Sequence, residues 1–123
     1  MNKLQIKRIY LPVDDSDGYR ILVDRLWPRG ISKEVAALDE WRKEIAPSNE
    51  LRKSFGHEAS KFEVFADSYC KELDENIDAK AFATFCKKML AQKNVTLLYG
   101  AKDSEHNNAV VLAQWIASRH SMI

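Results

Sequence analysis

The chain has only two cysteines in 123 residues, Cys70 and Cys86. They form no CxxC pair and have no partner cysteines for a zinc quartet, which argues against a structural zinc site or a redox dithiol. Each falls on the apolar side of a helical pattern, so both read as core thiols. Charge of one sign is not in excess either. Nineteen basic residues against eighteen acidic ones leave a net charge of +1, so no global field draws the chain to nucleic acid or to an anionic membrane. No apolar run approaches the roughly 18 residues of a membrane-spanning helix. The opening MNKLQIKRIY lacks the apolar core of a secretory signal, and together these point to a cytoplasmic protein without a membrane partner. Internal repeats and low-complexity tracts are missing. So are GxGxxG, a Walker loop, GxSxG and HExxH, which argues against dinucleotide-dependent hydride transfer, P-loop chemistry, the common serine hydrolase plan and zincin proteolysis. No cofactor and no metal is expected.

What the chain does have is a globular balance, 46% hydrophobic and 30% charged, in a length that fits one domain over residues 1–123. The apolar positions Leu4, Ile6 and Ile9 to Leu11 predict a first strand, and the Asp-rich stretch 12–18 a turn. A second strand is predicted over 20–26, where period-two alternation puts Ile21, Val23 and Arg25 on one face and Leu22, Asp24 and Leu26 on the other. Trp27-Pro28-Arg29-Gly30 then takes the chain out of the sheet, because proline lacks the ladder donor and restricts the residue before it. The spacing of Leu38, Trp41 and Ile45 predicts a helix over 38–45. Ser48 caps a short helix that Gly56 stops. Two longer helices follow over 58–74 and 79–92, then an unbroken apolar strand over 95–99, then a last helix capped by Asp103 or Ser104 with Arg119 and His120 at its negative end. The expected fold is a small α/β domain: a short, mostly parallel sheet of three to four strands packed against four to five helices.

Both strands are chemically loaded at their exits. Asp24, Arg25, Trp27 and Arg29 follow the strand 20–26, while Lys102, Asp103, His106, Asn107 and Asn108 follow the strand 95–100. Ligands of parallel α/β sheets gather beyond the carboxyl ends of the strands, so the two exits are expected side by side. Guanidinium groups fork onto phosphate or carboxylate oxygens, which makes Arg25, Trp27, Arg29, Lys102, Asn107 and Asn108 a candidate site for a small anionic ligand, phosphate- or nucleotide-like. An opposing explanation is structural: Arg25 with Asp103, or Arg29 with Asp24, as internal ion pairs. Two other functions stay open. One is a nucleic-acid or protein interaction module using Trp27, Arg29, Arg42, Lys43 and Arg52, which the net charge does not favour. The other is hydrolysis with Asp24, Asp103 or His106 moving a proton. His57, after Gly56, reads as a surface or capping histidine.

Several strings carry a resemblance: Lys7-Arg8-Ile9-Tyr10, the run DGYRILVDRLWPRG over 17–30, Ala46-Pro47-Ser48 with Leu51-Arg52, and Thr96-Leu97-Leu98-Tyr99-Gly100-Ala101-Lys102-Asp103 followed by Asn107-Asn108-Ala109. Across nearly its whole length the chain resembles the YeaO-like branch of a bacterial family of unknown function (DUF488). The resemblance implies a small bacterial cytosolic α/β domain without an established reaction.

Overall fold

The structure, a computed structural model, describes residues 1–120, with side chains through Ser118. The expected charges of Arg119 and His120 at the end of the last helix therefore lie outside the described residues. In chain order the elements are β1 (Leu4–Arg8), β2 (Tyr19–Leu22), α1 (Lys33–Ala36), β3 (Glu40–Trp41), α2 (Asn49–Phe55), α3 (Phe62–Glu75), α4 (Ile77–Leu90), β4 (Val95–Tyr99) and α5 (Asn108–His120). Four strands and five α-helices among the described residues make a small α/β domain. None of these helices is long and apolar enough to cross a membrane.

All strand pairs are parallel, in the order β1-β4-β2-β3. The central place of β4 accounts for its largely apolar sequence, since a strand with neighbours on both sides and cover on both faces has no solvent side to mark with polar residues; its buried Thr96 hydroxyl donates to Asp17 O. All five of its residues are buried. Alternation divides the interior into two. Ile21, Val23, Val95, Leu97 and Tyr99 face a core shared with α2 to α5, among them Phe55, Phe65, Tyr69, Phe82, Cys86, Leu112 and Trp115. Leu22 and Leu98 face the opposite, thinner layer, where Ile9, Ala36, Trp27, Ile31 and Leu38 cover them. Neither cysteine is in a disulfide among the described residues; Cys86 is buried and Cys70 packs at the core margin. Burial pushes the Cys86 thiol up to about 12, leaving it protonated and inert.

Two charged groups, Arg20 and Asp17, sit buried inside this frame. Arg20 donates from Nη1 to Asp17 Oδ2 (2.5 Å), from Nη2 to Ala36 O (2.7 Å) and from Nε to Ala37 O (3.1 Å). Lys7 Nζ reaches the same Asp17 at 2.9 Å. A buried guanidinium is tolerated only when its donors are met, and here each nitrogen has a partner. Gly18, next to Asp17, has φ +64°, and a Cβ there would lie 2.1 Å from Asn94 O, so only glycine fits.

Three expectations need correction, the last of them at the start of α5. The second strand ends at Leu22 and not at residue 26. Val23 N still bonds to Leu98 O (3.1 Å), but at the next position the Asp24 carboxylate, rather than a strand carbonyl, accepts Gly100 N–H (2.8 Å). A side chain has replaced the ladder, and the chain diverges. The helix over 38–45 does not form. Ser32 caps a single turn, α1, that ends in a left-handed Ala37. Asp39 N then bonds to Arg20 O and Arg42 N to Leu22 O, both at 2.9 Å, which adds Glu40–Trp41 to the sheet. Leu38, Trp41 and Ile45 consequently go to the thin layer, the surface and the main core. Pairing with an available strand edge overrode a helical spacing of three residues.

The helices that follow agree with their sequence signals. Ser48 accepts from Leu51 N, Gly56 takes the left-handed stop position, and Asn76 caps α4. The last helix starts later than expected: Asn107 Oδ1, not Asp103 or Ser104, accepts from Val110 N (3.1 Å). Asp103 instead closes the turn before it, accepting from Glu105 N and His106 N.

Candidate functional site

In an all-parallel sheet the strands deliver their carboxyl ends to the same side, and the loops leaving there surround a hollow. Tyr10, residues 24–29 and residues 100–103 line a cleft of about 660 Å³, with Asn107 and Asn108 from the start of α5 and Pro47, Arg52, Phe55, His57 and Phe65 from around α2 and α3. Asp24 ties the two loaded strand exits together across 76 residues of sequence. Its Oδ2 accepts from Gly100 N and its Oδ1 from Asn108 Nδ2 (3.0 Å), while Asn108 Nδ2 also donates to Val23 O (3.1 Å). Gly100 permits this approach, since a Cβ there would sit 3.3 Å from Asp24 Oδ2.

The cations divide by role. Arg25 donates from Nε to Pro47 O and from Nη2 to Ala46 O, both at 3.0 Å, so its guanidinium clamps the segment before α2 to the strand exit. Arg29 and Lys102 are exposed side chains. Arg52 donates from Nη2 to Asn49 Oδ1 (2.9 Å), and its buried Nε has no partner. Among the described residues no carboxylate lies within ion-pair distance of Arg25, Arg29, Arg52 or Lys102. Neither internal pair that the sequence left open, Arg25 with Asp103 or Arg29 with Asp24, forms.

The remaining candidates separate further. Trp27 lines the cleft, but its Nε1 donates to Ile31 O (2.8 Å) and its ring meets Trp41 edge-on at 5.4 Å. Asn107 is buried, with its amide spent on Asp103 O (2.9 Å) and on the Val110 cap. Asp103 is exposed and paired with His106 Nδ1 at 2.8 Å. The Glu105 N–H and the His106 contacts hold its carboxyl below the usual value. His106 rests edge-on against Phe62, 5.1 Å between ring centres, and does not line the cleft. Asp24 is the opposite of Asp103. Burial raises its pKa, and the bonds from Asn108 and Gly100, with the charges of His57 and Arg52, only partly oppose that.

Arg52 and His57 are the cleft residues that sequence reasoning placed elsewhere, one on an outer basic patch and one as a cap. The signal for them was present in the Ser48 and Gly56 boundaries of α2, but a helix's boundaries do not say which side of it meets the sheet ends. His57 itself adopts φ +59° after Gly56 at +56°, an uncommon conformation for a residue with a Cβ. The residues of the alternative interaction set, Trp27, Arg29, Arg42, Lys43 and Arg52, differ in their engagements. Arg42 is paired with Glu40 and Glu44 and lies over the Phe82 and Phe85 rings, while Lys43 lies over Trp41. Only Trp27, Arg29 and Arg52 of that set line the cleft. Among the described residues no three His, Cys, Asp or Glu side chains come together as a metal site.

Comparison with known proteins finds relatives along nearly the whole chain. The uncharacterized protein YeaO of Escherichia coli K12 is 51% identical over 116 residues, covering 94% of this chain and 97% of its own. Uncharacterized proteins of Mycobacterium tuberculosis and Mycobacterium bovis are each 36% identical over 117 residues, covering 95% of this chain and 96% of theirs. No solved structure matches the chain. The model of the inactive DUF488-N3 subclade matches residues 3–122, a span that takes in both strand exits and every element between them, and the chain belongs to that family.

Proposed function

We propose that the cleft binds a small anionic ligand, phosphate- or nucleotide-like, and that the protein is a binding module of the cytoplasm rather than a catalyst. The observation that carries this is the imbalance of charge in one hollow. Arg25, Arg29, Arg52 and Lys102 line it without carboxylate partners, against Asp24 and an Asp103 already engaged by His106. Unpaired cations facing a concave, partly apolar site favour an anion, and about 660 Å³ falls within the roughly 300–1,000 Å³ of small-molecule sites. One thing weighs against turnover: the subclade is described as inactive. Arg29 and Lys102 are the contacts to test, because Arg25 already holds two backbone carbonyls.

The experiment is a thermal-shift screen of phosphate-containing metabolites on the wild type and on an Arg29→Ala, Lys102→Ala double variant. A ligand at about a hundred times its Kd stabilises by about 2.7 kcal/mol, a rise of several degrees in Tm for a domain of this size. The double variant is expected to melt like the unliganded wild type and to lose the rise. If no anion shifts the wild type, or if the rise survives in the double variant, the reading falls.

A further inference from the structure

An anion alone is an incomplete match for this cleft. Asp24 lines it, and among the described residues no cation sits within ion-pair distance although four cations share the same lining. A ligand that offered only negative charge would meet a carboxylate that repels it. The orientation of Asn108 is settled by its surroundings: its NH2 faces Val23 O and Asp24 Oδ1, both of which accept only, so nitrogen and not oxygen occupies that side of the amide. Its Oδ1 is then left on the other side, with no donor among the described residues. Each Asp24 oxygen has accepted one hydrogen bond from Gly100 or Asn108 and keeps a further lone pair. One part of the lining thus offers acceptors only, from two neighbouring residues, while Arg29, Arg52 and Lys102 offer donors only.

Resting on the anion reading above, we propose that the ligand is bipolar: a phosphate monoester that also carries an amino group or neighbouring hydroxyls, with the phosphate on the cations and the donors on Asp24 and Asn108 Oδ1. Adenosine 5′-monophosphate and ribose 5-phosphate share this chemistry, whereas inorganic phosphate and methyl phosphate supply the anion without such a donor set.

The test is calorimetric titration of these four probes into the wild type and an Asp24→Asn variant, with the fold of the variant checked by circular dichroism. In the wild type a donor-bearing phosphate is expected to bind at least about tenfold more tightly than methyl phosphate, the difference made by one hydrogen bond to a charged group. In Asp24→Asn that advantage is expected to shrink about tenfold, while inorganic phosphate binds as well as before or better once the repelling charge is gone. These opposite signs on one substitution are not produced by loosened structure, which weakens every probe. A lead for adenosine monophosphate over ribose 5-phosphate, or the reverse, supports the proposal equally and tells the base amine from the sugar hydroxyls. Equal affinity for all four phosphates in the wild type overturns the proposal and leaves the anion cleft standing. Binding of none of them removes both. The wild-type comparison decides the matter even if Asp24→Asn does not fold.

Discussion

Arg25 and Arg29 lie four residues apart in the most distinctive string of the sequence, yet replacing them is expected to have unlike consequences. Arg25 holds the carbonyls of Ala46 and Pro47, residues that are themselves buried. Arg25→Ala leaves both oxygens without their donor. A hydrogen bond from a charged group contributes about 1.5–3 kcal/mol, and two on adjacent carbonyls are not fully additive, so the expected loss is about 2–4 kcal/mol. An unfolding entropy of about 2.1 cal/mol/K per residue makes that a fall of about 8–15 °C in Tm. Arg29 is exposed, and Arg29→Ala is expected to stay within about 0.5 kcal/mol of the wild type. Urea unfolding followed by circular dichroism measures both. Arg25→Lys refines the comparison, since an ammonium is a single donor centre that lacks the guanidinium fork, and it is expected to recover part of the loss. The clamp is refuted if Arg25→Ala unfolds with the wild type, or if Arg29→Ala costs as much.

Three further outcomes follow from the frame. Arg20→Met removes the donors to Asp17, Ala36 O and Ala37 O and is expected to cost about 3–5 kcal/mol by denaturant unfolding; a loss under about 1 kcal/mol would mean the buried network can relax around the gap. Gly18→Ala drives a Cβ to 2.1 Å from Asn94 O at φ +64°, and its cost is expected to exceed about 1 kcal/mol clearly, with a Tm equal to that of the wild type as the contrary result. For Asp24 the pH dependence has a definite sign. Burial raises its folded pKa above the ordinary 3.8, so between 3.8 and the raised value the folded state holds more proton and stability falls as pH rises. Relative to wild type, Asp24→Asn is therefore expected to gain stability with pH above about 4, read from urea midpoints across pH 4 to 8; a difference that does not change with pH would show that Asp24 is better solvated than its surroundings indicate.

Parts of this molecule were legible because local chemistry alone decides them. Ser48 and Gly56 bound a helix through a hydroxyl acceptor and a left-handed stop wherever they occur. The largely apolar run of β4 had to be a strand with cover on both faces. The exit after β2 was readable because Pro28 has no donor to offer, and parallel geometry then required that exit to lie near the one after β4. Other features depend on atoms distant in sequence. Whether Leu38, Trp41 and Ile45 formed a helix turned on an open edge of β2, which took Glu40–Trp41 as a strand. Whether Arg25 was free turned on carbonyls more than twenty residues away. Arg52 and His57 were in view as residue types, but only packing shows which side of α2 meets the cleft. The sequence by itself determined the periodicities, the caps and the inventory of charge, because each is set by neighbours along the chain. Only the tertiary structure decided which charges are neutralised, because a hydrogen bond depends on distance in space, and the fold sets that distance.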